Sequence, residues 1–149
     1  MIPIQNVPAF RVIGLPLRTS NAEASHTIGP HWQRFSQEGV LSRIPGKLSD
    51  EVFAVYTHFE HEGVDNNGLY TLVIGAAVPA ETDVPEGLIA VTLPASARMV
   101  FEVERGRVDL VGAAWERIWN VNERQKTFVA DYERFQADGQ IDIFVGVAA

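Results

Sequence analysis

Apolar residues recur along this chain with two spacings, every second residue in some segments and every third or fourth in others. The first spacing is typical of strands and the second of helices. Residues 7–17 hold β-branched and aromatic residues and are followed by the polar sequence Thr19-Ser20-Asn21, which predicts a strand and a turn. Residues 51–59 and 69–78 predict a hairpin, because the turn-forming Asp-Asn-Asn-Gly sequence at 65–68 lies between them. The second hairpin strand is almost wholly apolar, so we expect it inside the sheet, covered on both faces.

A helix is predicted between the first strand and this hairpin. From Ile28 onwards, apolar residues at i, i+4 and i+7 share one helical face, which predicts a helix over residues 27–38. Gly29-Pro30 is expected in its first turn and Gly39 at its C-terminal end.

The second half of the chain repeats these signals. Residues 97–104 predict a strand, and residues 128–135 and 141–147 predict a hairpin around the turn 137–140. A helix is expected between the single strand and this hairpin. Its predicted buried face consists of four residues at helical spacing: Val108, Val111, Trp115 and Ile118.

The resulting order is strand, helix, strand, strand, followed by the same order again. A proline-bearing loop at 79–87 separates two pseudo-repeats, at about 1–80 and 87–149. Neither half can bury both faces of its own hairpin, so we expect residues 1–149 to form one α+β domain around a shared sheet. A groove between the halves would suit a small molecule.

Composition and charge narrow the partners. The chain has 149 residues, of which 46% are hydrophobic and 21% charged, and it contains no apolar run of the ~20 residues needed to cross a membrane. It has no cysteine and no secretory signal at its start, which favours a cytoplasmic location. The net charge of −7 argues against direct nucleic-acid contact. It would favour the approach of a cation, but the alternative, which we favour, is that it serves only to keep the protein soluble.

Motifs for metal, cofactor and nucleophile chemistry receive little support. His58 and His61 would point to opposite faces of a strand, so their spacing does not favour a metal site. No serine lies in a Gly-x-Ser-x-Gly nucleophile elbow, and the glycines lack the spacing of a phosphate-binding loop. We therefore expect no catalytic set, no metal and no cofactor.

One acidic position stands out in the segment 128–135. Strand alternation places Asp131, Glu133 and Phe135 on one face, where a carboxylate can point inward. A buried carboxylate costs several kcal/mol unless it is paired, so it tends to persist where function needs it. The alternative is a solvated edge strand on which Arg134 or Lys126 forms a weak surface pair. The pattern alone leaves both interpretations open.

Five short motifs carry a resemblance to a known family. Residues 114–119 (AWERIW), 131–135 (DYERF) and 141–145 (IDIFV) resemble the ending of GyrI-like effector-binding domains, the ligand-sensing modules of AraC- and MerR-type regulators. Residues 55–57 (VYT) and 70–75 (YTLVIG) resemble the stand-alone, integron-cassette-type branch of that family. The resemblance covers nearly the whole chain.

The resemblance implies duplicated βαββ units forming one curved antiparallel sheet, with two helices packed on one side and a ligand cleft between the halves. In multidrug-sensing members, an aromatic pocket holds lipophilic cations over a central glutamate, which corresponds here to Glu133. Phe144 falls at an aromatic position of the last strand, where relatives often carry tyrosine. Tyr56, Trp32 and Trp119 are implied as further pocket lining.

The expected function is therefore non-enzymatic binding of a small amphipathic, cationic, drug-like molecule. Two alternatives stay open: a GyrI-like hydrolase with Glu133 as general base, and a protein-interaction inhibitor. The chain leaves no room for a helix-turn-helix beside the sensing module, so any regulation is expected to act through a protein partner. A homodimer is also left open.

Overall fold

The structure is a computed structural model that describes residues 2–149. Eight strands form a single antiparallel sheet in this part of the chain. In chain order the elements are β1 Ile4–Val7, β2 Phe10–Ser20, α1 Ala24–Gln37, α2 Val40–Arg43, β3 Val52–Thr57, β4 Leu69–Val78, β5 Ile89–Leu93, β6 Ser96–Val103, α3 Val111–Trp119, β7 Ala130–Phe135 and β8 Ile141–Val147.

The two halves of the chain meet at the centre of the sheet. The strand order is β1-β6-β8-β7-β3-β4-β2-β5, and β7 pairs with β3 to join the halves. The edge strands are exchanged, because β1 pairs with β6 of the second half and β5 pairs with β2 of the first. The sheet curls into a half-barrel, so the predicted α+β fold with one curved antiparallel sheet is confirmed.

Both long helices pack on the same face of the sheet. Phe35 of α1 is buried against residues of β2 and β4, whereas Ile118 of α3 is buried against β6 and β8. The opposite face has its own apolar cluster, in which the rings of Tyr132 and Phe144 stack with centroids 4.6 Å apart. Successive residues of β7 therefore alternate between the face covered by the helices and the opposite face.

Both predicted hairpins are confirmed, and β4 lies inside the sheet between β3 and β2. The boundary of the first helix was wrong at its N-terminal end. The helix begins at Ala24, so Pro30 lies inside it rather than in its first turn. Gly39 follows the helix in a left-handed conformation with a φ of 59°, as a C-terminal stop requires.

Three elements and one residue depart from the sequence pattern. The strands β1 and β5 and the single-turn helix α2 were not predicted, because they have only four or five residues and too little pattern to show a period. Val108 was expected on the buried face of the second helix. It lies instead in a 3-10 turn before α3 and is largely exposed, because the helix proper starts at Val111.

Strands β2 and β4 approach each other closely at a pair of glycines. Gly14 lies directly opposite Gly75 in the register. A Cβ atom built on Gly75 would lie 1.8 Å from the backbone oxygen of Ile13, so no side chain fits without moving a strand. The longest strand pair of the first half therefore requires glycine at this position.

Candidate ligand-binding site

A cavity of about 520 Å³ lies between α1 and α3, above the centre of the sheet. Its volume falls in the usual range of small-molecule pockets, roughly 300–1,000 Å³. The walls are largely aromatic and aliphatic, with three carboxylates among the lining side chains. The lining residues are Asn21, Ala24, Ser25, Ile28, Trp32, Tyr56, Phe59, Asn66, Tyr70, Val108, Val111, Gly112, Trp115, Glu116, Trp119, Asp131, Glu133 and Phe135.

Glu133 lies on β7 at the floor of this cavity and is only 2% exposed. Its Oε2 atom accepts two hydrogen bonds, one from the Tyr56 hydroxyl at 2.7 Å and one from Trp115 Nε1 at 2.6 Å. These donors come from different elements, β3 and α3. The carboxylate is therefore held in one orientation by both halves of the chain.

The strand register explains how this contact arises. Ala54 lies directly opposite Glu133 on β3, and its small side chain leaves space above the carboxylate. Tyr56 is two residues further along β3, on the same face, and reaches Glu133 diagonally. Trp115 approaches from above, because α3 packs over this end of the sheet.

The basic residues near Glu133 in sequence are engaged elsewhere. Arg134 Nη2 lies 2.9 Å from Asp142 Oδ2, and the Arg134 guanidinium lies over the ring of Phe144 on the other face of the sheet. The ammonium group of Lys126 donates a hydrogen bond to the backbone oxygen of Val121. Within residues 2–149, no Lys, Arg or His forms a salt bridge with Glu133.

Burial dominates the ionisation of Glu133. Desolvation raises the pKa of Glu133 to about 7, although the hydrogen bonds from Tyr56 and Trp115 act in the opposite direction. Burial, together with the nearby Glu133 charge, also raises the pKa of Tyr70 to about 12. Near neutral pH the carboxyl of Glu133 can therefore gain or lose its proton with a small change in free energy.

A second buried carboxylate lies two residues away on the same face. Asp131 Oδ1 accepts a hydrogen bond from the backbone N–H of Gly146 at 2.7 Å. Burial raises the pKa of Asp131 to about 6, and the Gly146 hydrogen bond, followed by the neighbouring Arg98 and Lys126 charges, partly opposes that rise. Asp131 thus has cationic neighbours, whereas Glu133 forms no salt bridge in the part of the chain that the structure describes.

Aromatic rings surround the space above Glu133. The Tyr56 ring lies 5.3 Å from the Trp115 ring and 5.6 Å from the Tyr70 ring, both edge to face. Trp32 of α1 packs edge to face against Phe135, with centroids 5.2 Å apart. Rings in this arrangement can present their negative faces to a cation.

The structure brings together four of the five residues predicted for the ligand site: Trp32, Tyr56, Trp119 and Glu133 all line the cavity. Trp119 is 43% exposed at its mouth. Phe144 is not part of the cavity. It lies opposite Tyr132 in the register and stacks on that ring, and Tyr132 neighbours Glu133 on the strand and so faces the other way. The roles of these residues in ligand binding stay predictions.

Trp115 is the main contributor that the sequence did not identify as a site residue. Its helical spacing with Ile118 predicted burial, but not the hydrogen bond that its indole gives to Glu133. Tyr70 was also missed as lining. Its hydroxyl donates to Asn21 Oδ1 at 3.0 Å, which ties β4 to the turn before α1. Each contact joins two elements of the same half that are separated along the chain, so only their packing in the folded structure reveals it.

In the segment 58–62, Phe59 lines the cavity, whereas the two histidines and two glutamates are exposed and lie outside its lining. His61 Nδ1 is 2.6 Å from Asp65 Oδ1, so the carboxylate nearest to His61 forms an exposed i,i+4 pair with it. Across residues 2–149, no group of three or more His, Asp or Glu side chains is arranged to hold a metal ion. None of the helices in that range has the length and apolar character needed to cross a membrane.

Comparison with protein families gives a match over almost the entire chain. Residues 3–147 match the Cass2 family, described as integron-associated effector binding protein. The chain belongs to this family. The protein YobU of Bacillus subtilis (strain 168) is 28% identical to this chain over 156 residues. The match covers 97% of this chain and 96% of YobU. Its name assigns YobU provisionally to the transcriptional regulators.

Solved structures show the same fold. The integron cassette protein VCH_CASS2, from the mobile metagenome of Vibrio cholerae, superposes with a TM-score of 0.75 at 18% identity, covering 99% of this chain and 95% of that protein. SAV2435 bound to tetraphenylphosphonium superposes with a TM-score of 0.78 at 18% identity, covering 100% of this chain and 94% of that protein. The family is thus an effector-binding family related to transcription regulators.

Proposed function

We propose that this Cass2-family protein binds small lipophilic cations in the cavity between α1 and α3, and that Glu133 supplies the countercharge. The observation that carries this proposal is a buried carboxylate, 2% exposed, that has aromatic neighbours and no basic partner within residues 2–149. A structural carboxylate at such a position would ordinarily have a cation beside it.

The electrostatics favour a cationic ligand over a neutral one. Two hydrogen bonds stabilise the charged form of Glu133 only in part, because burial still leaves its pKa raised to about 7. A ligand cation in the cavity would compensate for the lost hydration of the carboxylate. The overall charge of −7 adds a long-range attraction for the same ligands.

The cavity walls favour a lipophilic ligand. Trp32, Tyr56, Tyr70, Trp115 and Trp119 line it, and burying apolar ligand surface against them contributes roughly 25 cal/mol per Å². A cation over a desolvated ring face gains a further 0.5–2 kcal/mol or so. The tetraphenylphosphonium bound by SAV2435 combines these two properties, which supports the same ligand class here.

A pair of isosteric ions tests this function directly. Tetraphenylphosphonium and tetraphenylborate have nearly the same shape but opposite charges. We expect tetraphenylphosphonium to quench the tryptophan fluorescence saturably and tetraphenylborate to have no saturable effect, since Trp32, Trp115 and Trp119 all line the cavity. Equal binding of both ions would show that the cavity recognises apolar shape alone.

Hydrolysis is a second candidate, supported by one observation. A carboxyl group with a pKa of about 7 in an apolar cavity can act as a general base on water near neutral pH. Turnover of electrophilic small molecules by the parent protein, lost in Glu133→Ala, would favour this reading. Tight binding without turnover would favour the effector-binding proposal.

A further inference from the structure

The two oxygens of the Glu133 carboxylate have different environments. Tyr56 and Trp115 both donate to Oε2, and no group within residues 2–149 donates to Oε1. Three side-chain polar atoms of this range are sealed from solvent and have no hydrogen-bond partner: His31 Nδ1, Arg98 Nε and Arg134 Nε. Oε1 likewise has no hydrogen-bond partner within residues 2–149, yet it is not among these sealed atoms, so it keeps a surface toward the cavity.

From this asymmetry we infer that the preferred ligands carry an N–H donor on the cation itself, as protonated amines, amidines and guanidines do, and donate it to Glu133 Oε1. The inference rests on the proposed cation-binding function and narrows its ligand class. Quaternary ammonium and phosphonium ions would bind in the same cavity but more weakly, because they can offer charge and no hydrogen bond.

The hydrogen-bonding capacity of the site explains this preference. An ionised carboxylate has about four acceptor positions, and Oε2 already uses two of them for Tyr56 and Trp115. An indole N–H can only donate, so Trp115 cannot reverse its role to satisfy a ligand acceptor. Oε1 therefore presents an anionic acceptor inside an apolar wall, where a charge-assisted hydrogen bond is strong.

Other acceptors in the cavity are less suited to this role. Asp131 Oδ1 already receives the Gly146 N–H, and the Arg98 and Lys126 charges act on the same carboxylate. Asn21 Oδ1 receives the Tyr70 hydroxyl. Glu116 lies on an exposed part of α3 at the rim, where water competes for its oxygens. Glu133 Oε1 is thus the buried anionic atom best placed for a ligand donor.

A matched ligand pair tests the inference. The probes are (1-naphthylmethyl)dimethylammonium, which has one N–H, and (1-naphthylmethyl)trimethylammonium, in which a methyl group replaces that hydrogen. Titration calorimetry at about pH 8 keeps Glu133 ionised and the tertiary amine protonated. We expect the N–H compound to bind at least tenfold more tightly, which corresponds to about 1.4 kcal/mol. If burial of apolar surface alone decided the affinity, the trimethylammonium compound would bind more tightly, because it has one more methyl group to bury.

Glu133→Gln should remove this discrimination. Trp115 can only donate, so the glutamine oxygen should turn toward it and place the amide NH₂ where Oε1 was. The site then offers a donor to the ligand, and the affinity ratio of the two probes should fall to about one. Glu123→Gln is the matched control, because it makes the same change on an exposed side chain outside the cavity and should keep the ratio.

The outcomes separate this inference from the proposed function. If tetraphenylphosphonium and both naphthyl cations fail to bind, the proposed function itself is wrong. If both naphthyl cations bind with equal affinity, cation binding stands and the N–H preference is wrong. A tenfold preference that persists in Glu133→Gln would also overturn the inference, since another acceptor would then receive the N–H.

Discussion

The Tyr56 hydroxyl lies 2.7 Å from Glu133 Oε2, although the two residues are 77 positions apart in the sequence. One comes from the first half of the chain and the other from the second, and they meet because β3 pairs with β7 at the centre of the sheet. The contact orients the carboxylate while leaving its other oxygen toward the cavity. The orientation of the Glu133 carboxylate in the cavity therefore depends on the pairing of β3 with β7.

Cation affinity should depend on pH with a midpoint near neutrality. The pKa of Glu133 is raised to about 7 by burial, so below that pH the carboxyl is protonated and offers no countercharge. Tetraphenylphosphonium has no titrating group, and its affinity should fall by up to about tenfold per pH unit below the midpoint. Calorimetry in two buffers of different ionisation enthalpy should detect proton release near pH 7. A flat pH profile would contradict the assignment.

Tyr56→Phe should move that midpoint to higher pH. The hydrogen bond from Tyr56 holds the pKa of Glu133 down, so removing the hydroxyl leaves burial less opposed. A hydrogen bond to a charged group contributes about 1.5–3 kcal/mol, which corresponds to a rise of about one pH unit or more. The measurement is the pH midpoint of tetraphenylphosphonium binding in the variant and the parent. Trp115→Phe removes the second donor and should act in the same direction, whereas an unchanged midpoint in both variants would show that these bonds do not tune the carboxyl.

Glu133→Gln should stabilise the protein at high pH and leave it unchanged at low pH. In the unfolded chain the carboxyl titrates near 4.5, and in the folded protein near 7. The unfolded chain therefore loses its proton first, so the parent loses stability as pH rises from about 4.5 to 7, whereas glutamine does not titrate. The variant should gain about 2–3 kcal/mol in the free energy of unfolding at about pH 8 and nothing at about pH 4. Urea denaturation at both pH values checks this, and a loss of stability at about pH 8 would contradict it.

Gly75→Ala should be strongly destabilising. Its Cβ would overlap the backbone oxygen of Ile13 on β2, and only a shift of a strand can relieve that overlap. We expect a loss of about 3 kcal/mol or more, read from the urea midpoint. Gly112→Ala on α3 is the matched control. A Cβ there meets no atom within 4 Å, so the variant should be neutral or up to about 1 kcal/mol more stable. Similar urea midpoints for Gly75→Ala and the parent would mean that β2 and β4 are not tightly held.

Much of the fold could be predicted because its strands are long and regularly patterned. The wholly apolar run at 69–78 predicted an interior strand, and β4 is one. The short β1 was missed because its pairing with β6 is a long-range exchange between the halves that no local pattern reveals. Pro30 was misleading, since proline is frequent in a first turn, yet here the helix extends a further turn before it.

The candidate site was predictable only in part. Alternation correctly placed Asp131, Glu133 and Phe135 on one face but could not say whether that face was buried. Phe144 was expected in the site only because of the family resemblance. Every residue of β8 is buried, so the pattern of that strand could not tell which face Phe144 occupies. The Trp115 contact needed the packing of α3 over β7, which depends on tertiary structure rather than on spacing along the chain.

The most direct test of the central claim is the affinity of tetraphenylphosphonium for the parent protein, for Glu133→Gln and for the surface control Glu123→Gln, measured by calorimetry at about pH 8. If Glu133 supplies the countercharge, Glu133→Gln should lose about tenfold or more in affinity, while Glu123→Gln should match the parent. Far-ultraviolet circular dichroism confirms that each variant is folded. Equal affinity in all three proteins would contradict the account, because the cavity would then bind the cation without using its buried carboxylate.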